Sequence, residues 1–292
     1  MLNEDIKSSS EIEEQIKDFI KDCEHYDLPR LAKEKLPDGV RLLDCVRYEC
    51  LRPEPVDPDN KDKCFILIHG GAFVYGYKEL DRCFGMHLAK LSGLSVININ
   101  YTLMPDISLT GLLYQIAGMI EEAGSLFGYT TFHLTGDSAG AYLAYAISLA
   151  ARNMDVRFGF GLEEMPNLNI ESCGLICGCY TLSKDGFPGI LFEKGESRLK
   201  PFAYDLGLAG IKDKTLKTAI VTGDKDFLRQ DNKDLAVRLK EEGCPVSILD
   251  LESDEEHEMQ HVFPITDPAS PQAREALRLI VENAKGSFTP QG

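Results

Sequence analysis

Five consecutive residues, Gly136-Asp137-Ser138-Ala139-Gly140, carry the strongest chemical signal in this chain. They lie between a short apolar run, Phe132-His133-Leu134-Thr135, and a helix-like run, Ala141-Tyr142-Leu143-Ala144-Tyr145-Ala146-Ile147. G-x-S-x-G between a strand and a helix sets a serine on a sharp turn, with its hydroxyl clear of the backbone. The glycines leave room where a Cβ would strike the flanking elements. The helix N-terminus points its partial positive charge at developing negative charge. A serine is a weak nucleophile by itself, so Ser138 requires a base, an acid to orient the base, and donors for an oxyanion.

Donors are available in His69-Gly70-Gly71-Ala72-Phe73, which directly follows the apolar run Cys64-Phe65-Ile66-Leu67-Ile68. Two successive glycines let backbone N–H groups face a ligand that side chains would exclude. One such donor aimed at an oxyanion contributes about 3–4 kcal/mol. The N–H groups of Gly70 and Gly71, with that of Ala139 after the serine, are the expected oxyanion hole. His69 is expected to brace the loop, and Phe73 and Tyr75 to contact substrate. For the acid, Asp224 and Asp226 both follow the strand-like run Thr218–Thr222. A carboxylate at such a strand end can fix the tautomer of an imidazole and stabilise its protonated form. Of six histidines, His25 lies near the N-terminus, His87 in a helical run and His133 on the strand before the nucleophile. His257 and His261 follow the last strand-like run. His257 is embedded in the acidic, solvated stretch Asp254-Glu255-Glu256-His257-Glu258.

The elements that must position these residues alternate. Strands are expected at Cys64–His69, Leu94–Asn100, Phe132–Thr135, Cys173–Cys179, Thr218–Thr222 and Val246–Asp250. Most are apolar on both parities, as in a parallel sheet covered on both faces. Helical spacing separates them at about 82–92, 109–124, 139–152, 231–242 and 271–285. The last is bounded by Ser270 as cap, Pro271 in its first turn and Gly286 at its end. An earlier strand is expected from Val40 to Glu49, then a Pro-rich turn over 52–59. Residues 1–36 read as a helical cap, with Ser10-Glu11-Ile12-Glu13 as a capping box and Ile12, Ile16, Phe19, Ile20 and Cys23 on one face. The division expected is 1–50 for cap and first strand and 51–292 for the catalytic part, as one structural domain. Residues 183–213 break the rhythm and are read as an insertion lining an apolar pocket.

The 292 residues carry a net charge of −16, which opposes a nucleic-acid partner or an anionic membrane surface. No apolar run approaches the roughly 20 residues of a membrane span. Met1-Leu2-Asn3-Glu4-Asp5 shows no leader pattern, so a cytoplasmic location with reduced thiols is expected for the nine cysteines. Cys173, Cys177 and Cys179 share one parity and are expected to be buried on one face of a strand, not to ligate a metal.

His69-Gly70-Gly71-Ala72-Phe73 together with Gly136-Asp137-Ser138-Ala139-Gly140 resembles the hormone-sensitive-lipase-like esterases of the α/β-hydrolase fold. A third block, Tyr101-Thr102-Leu103-Met104-Pro105-Asp106, is similar to the family's Tyr-Arg-Leu-Ala-Pro-Glu, with Thr102, Met104 and Asp106 as departures. The resemblance covers roughly 60–285; the first 50 or so residues match only as a generic cap. It implies an α/β fold with a mostly parallel central sheet, helices on both faces and a small N-terminal helical cap. It also implies the chain order nucleophile, acid, base. Asp226-Phe227-Leu228 resembles the family's Asp-x-Leu, which favours Asp226 over Asp224. His261-Val262-Phe263 resembles its His-x-Phe, with Val262 where glycine is common, which favours His261 over His257.

The resemblance thus implies a serine carboxylic-ester hydrolase that acts on small, short-acyl esters without metal or organic cofactor, acetylated sugars being one narrower possibility. A homodimer is compatible with it. An amide-directed relative, such as a formamidase or peptidase, and a non-catalytic ligand-binding protein on the same fold are the alternatives.

Overall fold

The computed structural model describes residues 9–56, 58–193 and 199–286. The N-terminal five residues read for a leader, and Gly195 of the 183–213 segment, lie outside them. Eight strands form one sheet: β1 (Val40–Asp44), β2 (Tyr48–Pro53), β3 (Lys63–Ile68), β4 (Ser95–Ile99), β5 (Thr131–Asp137), β6 (Ile170–Ile176), β7 (Lys217–Gly223) and β8 (Val246–Leu251). Their order is β1-β2-β4-β3-β5-β6-β7-β8. β2 runs antiparallel to both neighbours, and β3 to β8 are mutually parallel. β3, β4 and β5 are buried along nearly their whole length, which is why their sequences read as continuous apolar runs.

Among the described residues ten α-helices complete the fold: α1 (Ser9–Leu31), α2 (Arg82–Ser92), α3 (Leu109–Phe127), α4 (Ala139–Arg152), α5 (Met154–Gly159), α6 (Ile190–Glu193), α7 (Leu206–Gly210), α8 (Arg229–Glu241), α9 (Phe263–Thr266) and α10 (Pro271–Lys285). Each sheet face carries its own core. On one, α2 and α10 bury Phe84, Leu88, Leu277 and Ile280 against Phe65, Leu67 and Val221. On the other, α3, α4 and α8 bury Leu112, Ile116, Leu143, Ile147 and Leu239 against Ile66, Leu134 and Ile220. The α10 boundaries follow its local signals: the Ser270 hydroxyl accepts from the N–H of Ala273, and Gly286 closes the helix at φ 67°. α1 adds Ile12 and Ile16 to the second core, and its Phe19 ring lies 5.7 Å from that of Phe187.

Three local expectations are corrected. The run Val40–Glu49 is not one strand. It turns at Cys45, whose N–H donates to the carbonyl of Tyr48, and the chain returns as β2 through Pro53. β6 stops at Ile176, and Cys177 adopts φ 46°, so the three cysteines 173, 177 and 179 do not share a strand face. Helix α1 begins by Ser9, ahead of the cap read at Ser10. The aromatic residues of 183–213 enter the core: Phe192, Phe202 and Tyr204 are buried, and the Phe192 ring packs 5.3 Å from Phe73 and 5.7 Å from Tyr142.

The parallel register aligns the strand ends that carry chemistry. Ile68 pairs with Ile99 on one side and with Gly136 on the other, and Asp137 pairs with Ile176. The loops after β3, β5, β7 and β8 therefore leave the sheet at its carboxyl edge, where open α/β sheets bind their ligands.

Two core histidines make the fold acid-sensitive. Burial holds both His69 and His133 down to about 4, below the ordinary value near 6.5. The unfolded chain then binds more protons between those limits. Their contribution is full above about pH 6.5 and is lost toward pH 4, by up to about 1.4 kcal/mol per pH unit for each histidine. Urea denaturation at pH 7, 6 and 5 is expected to give a steeper fall toward acid in the wild type than in His133→Leu. Equal slopes in the two proteins would contradict the assignment.

Candidate active site

Ser138 stands between β5 and α4 at φ 50° and ψ −117°, a backbone conformation outside the ordinary wells for a non-glycine residue. The reason is the close approach of this turn to β3. A Cβ on Gly140 would lie 1.9 Å from the Ile68 carbonyl oxygen, and one on Gly136 2.5 Å from it. Only hydrogen fits at either position.

The three residues expected to act together do meet. The Ser138 hydroxyl donates to His261 Nε2 at 3.0 Å, and His261 Nδ1–H donates to Asp226 Oδ1 at 2.7 Å. The bond to Asp226 fixes the ring proton on Nδ1 and leaves Nε2 as the acceptor. Asp226 has no solvent-exposed side-chain surface. Its Oδ1 also accepts from the N–H of Leu228 at 3.0 Å, and its Oδ2 from the Thr222 hydroxyl at 2.7 Å. Burial by itself would raise this carboxyl; the hydrogen bond and charge of His261, with the Leu228 and Thr222 donors, outweigh it and hold the group below its ordinary value.

Asp224, the other carboxylate considered, is engaged elsewhere. It accepts from the N–H of Ser253 at 3.0 Å and from the Ser253 hydroxyl, which in turn accepts from the N–H of Met259 at 2.9 Å. This chain steadies the segment that delivers His261. His257 lies beside Asp254, at 3.4 Å.

The loop after β3 is a left-handed turn. Gly71, Ala72 and Phe73 have φ of 103°, 51° and 68°, and the Gly71 carbonyl accepts from the N–H groups of Val74 and Tyr75, each at 3.0 Å. The first N–H groups of such a turn have no acceptor within it, as at a helix start. Gly70 packs closely against the nucleophile turn: a Cβ on it would lie 2.4 Å from Asp137 Oδ2. Among the described residues no acceptor is seen for the N–H groups of Gly71, Ala72 and Ala139. Ala72 was not legible as a donor because its positive φ depends on this tertiary setting.

His69 braces the turn. Its ring stacks on Tyr101 at 4.1 Å, Nδ1–H donates to the Gly70 carbonyl at 2.8 Å, and the Tyr101 hydroxyl donates to the His69 carbonyl at 2.8 Å. Phe73 is fully buried against Phe192 and Tyr142, so its ring backs the turn, and Tyr75 is 5% exposed. Besides Ala72, two contributors escaped the sequence reading. Thr222 lies at a strand end four residues before Asp226, a position that could have flagged it. Phe227 is 77% exposed, with its ring 4.2 Å from that of His261.

Among the described residues, one group of metal-ligating types comes together: Cys177, Asp226 and His261, with donor atoms within 4.8 Å of one another. Its carboxylate and imidazole are already engaged in the hydrogen bonds above. The arrangement can activate a hydroxyl, hold negative charge on a carbonyl oxygen and return a proton to a leaving group.

The sequence matches the family model described as alpha/beta hydrolase fold over residues 65–186. It is 27% identical to the hormone-sensitive lipase of Mus musculus over 143 residues, 47% of this chain and 19% of that protein. It is 31% identical to the acetyl esterase of Salmonella paratyphi B over 104 residues, 32% of this chain and 30% of that protein. The matched regions span between 15% and 37% of the curated relatives' own length. In three dimensions it is similar to esterase B of Lactobacillus rhamnosis, solved with a tributyrin phosphonate inhibitor. That similarity has a TM-score of 0.82 and 18% identity, over 96% of this chain and 98% of that one.

The tight turn makes a direct prediction. Gly140→Ala is expected to destabilise the protein by more than about 3 kcal/mol, because backbone and not a movable side chain would have to shift. Equilibrium urea unfolding checks this, and wild-type stability would show that the turn has slack. The sheet order, the strand-end placement of Ser138 and the matches agree: this chain has the α/β-hydrolase fold and, within it, resembles the hormone-sensitive-lipase-like esterases and lipases.

Proposed function

We propose that this protein is a serine ester hydrolase that cleaves small, short-acyl carboxylic esters through an acyl-enzyme on Ser138. The observation that carries the reading is the continuous chain from Asp226 to His261 to Ser138, at 2.7 and 3.0 Å. His261 Nε2 takes the hydroxyl proton as Oγ attacks the ester carbonyl. The N–H groups of Gly71, Ala72 and Ala139 receive the oxyanion. The protonated His261, stabilised by Asp226, gives its proton to the leaving alcohol, and water then releases the acid by the same route. Every proton is carried by residues of this chain.

The preference for short acyl groups is supported by packing. Phe73, Tyr142, Phe192 and Tyr204 fill the space behind the oxyanion turn with rings 5.3–5.8 Å apart. The names of the similar proteins agree with it: an acetyl esterase in sequence, and in structure an esterase solved with a tributyrin phosphonate.

The test is a panel of p-nitrophenyl esters of increasing acyl length, run beside formylated and peptide amides. Turnover is expected for esters and to fall with acyl length; turnover of amides alone would overturn the reading. His261→Ala is expected to lower kcat by about 10⁴-fold or more, while His257→Ala keeps most of it. The reverse result would reassign the base.

A further inference from the structure

Two buried carboxyl groups near Ser138 have no part in the proton transfers above. Asp81 precedes α2 at its N-cap position, where aspartate ordinarily accepts from the first-turn N–H groups. Here its side chain makes no cap hydrogen bond, and the residue is 2% exposed. The fold forgoes a cap and buries an acid instead. Asp137, next to the nucleophile, is 5% exposed. Its Oδ2 lies 2.4 Å from the point a Cβ on Gly70 would occupy, so this carboxylate fills the place of a side chain on the oxyanion loop.

Asp81 Oδ2 and Asp137 Oδ1 are both sealed from solvent, and neither meets an N–H or hydroxyl donor. Two such oxygens cannot both belong to carboxylates without a large desolvation cost. The donor that satisfies them is a proton on one of the two carboxyls.

We propose that Asp81 and Asp137 are positioning residues that share one proton, and that this shared proton latches the oxyanion loop to the nucleophile turn. Asp81 carries the proton and donates to Asp137. Asp137, as the carboxylate, packs its Oδ2 against the Cα of Gly70, immediately before the Gly71 and Ala72 donors. Burial, then the neighbouring Asp137 charge, pushes the Asp81 carboxyl well above the usual carboxylate range; burial raises Asp137 too, opposed by its hydrogen bond with Asp81. The groups facing the pair are Arg30 and Asp27 from α1, Tyr101 after β4, Cys177 and Cys179 after β6, and His261. Arg30 favours the single negative charge, and Asp27 opposes a second. Removal of the shared proton at alkaline pH leaves two anions in contact and parts the loop from the turn.

The latch rests on the esterase reading for its kinetic consequence but not for its existence, so two measurements are paired. The first is the infrared C=O band of an un-ionised carboxyl at neutral pH, which is expected in the wild type and absent in Asp81→Asn. It needs no substrate, and absence of the band from the wild type overturns the shared proton whatever the protein hydrolyses. The second is kcat, KM and their pH profiles with p-nitrophenyl acetate. Asp81→Ala is expected to lower kcat about tenfold or more with little change in KM, because the displaced donors act on the transition state. Asp81→Asn, whose amide supplies the missing donor, is expected to restore kcat to within about threefold of wild type and to lose the alkaline decline. Should Asp81→Ala not fold, the comparison of wild type with Asp81→Asn stands alone. An identical alkaline limb in the two proteins overturns the latch.

Discussion

One steric constraint organises the site: the carbonyl end of β3 and the turn after β5 occupy nearly the same space. A single methyl on Gly140 would lie 1.9 Å from the Ile68 oxygen. The contact binds the loop that starts at His69 to the turn that carries Ser138, because each is one peptide beyond a paired strand end. The positive φ of Ser138, Ala72 and Phe73 are strained conformations of order 1–3 kcal/mol each. They persist because two buried cores hold the strands that impose them.

From that contact the rest follows by hydrogen bonding. β7 ends two strands further across the sheet, and its Thr222 hydroxyl and the N–H of Leu228 fix both oxygens of Asp226. Asp226 then fixes the ring proton of His261, which leaves the correct nitrogen facing Ser138. The supports are largely local to each strand end: Asp224 with Ser253 behind His261, and Tyr101 with His69 behind the glycine turn. The buried pair Asp81–Asp137 crosses between them, from the start of α2 to the nucleophile turn.

Much of this was legible in the sequence because it depends on local chemistry. The runs of α2, α4 and α10 were readable from helical spacing, and the last from Ser270, Pro271 and Gly286 at its ends. The buried parallel strands announced themselves as apolar runs. What escaped depended on contacts between distant segments. The turn at Cys45 splits an apolar stretch that has no glycine or proline to mark it. Cys177 leaves the strand with φ 46° as the chain turns away from the sheet edge, and parity cannot foresee that. The close packing of Gly70 on Asp137, 67 residues later, was equally invisible, because it joins two loops that meet only in the fold.

The central claim is that Ser138 carries the acyl group in the course of catalysis. The most direct measurement is rapid acid quench of the protein during turnover of p-nitrophenyl acetate, followed by peptide mass mapping. The account predicts an acetyl adduct on Ser138 that forms within a single turnover, decays as substrate is exhausted and is absent in Ser138→Ala. An adduct on another residue, or steady turnover with no adduct and no initial burst of p-nitrophenol, would contradict it.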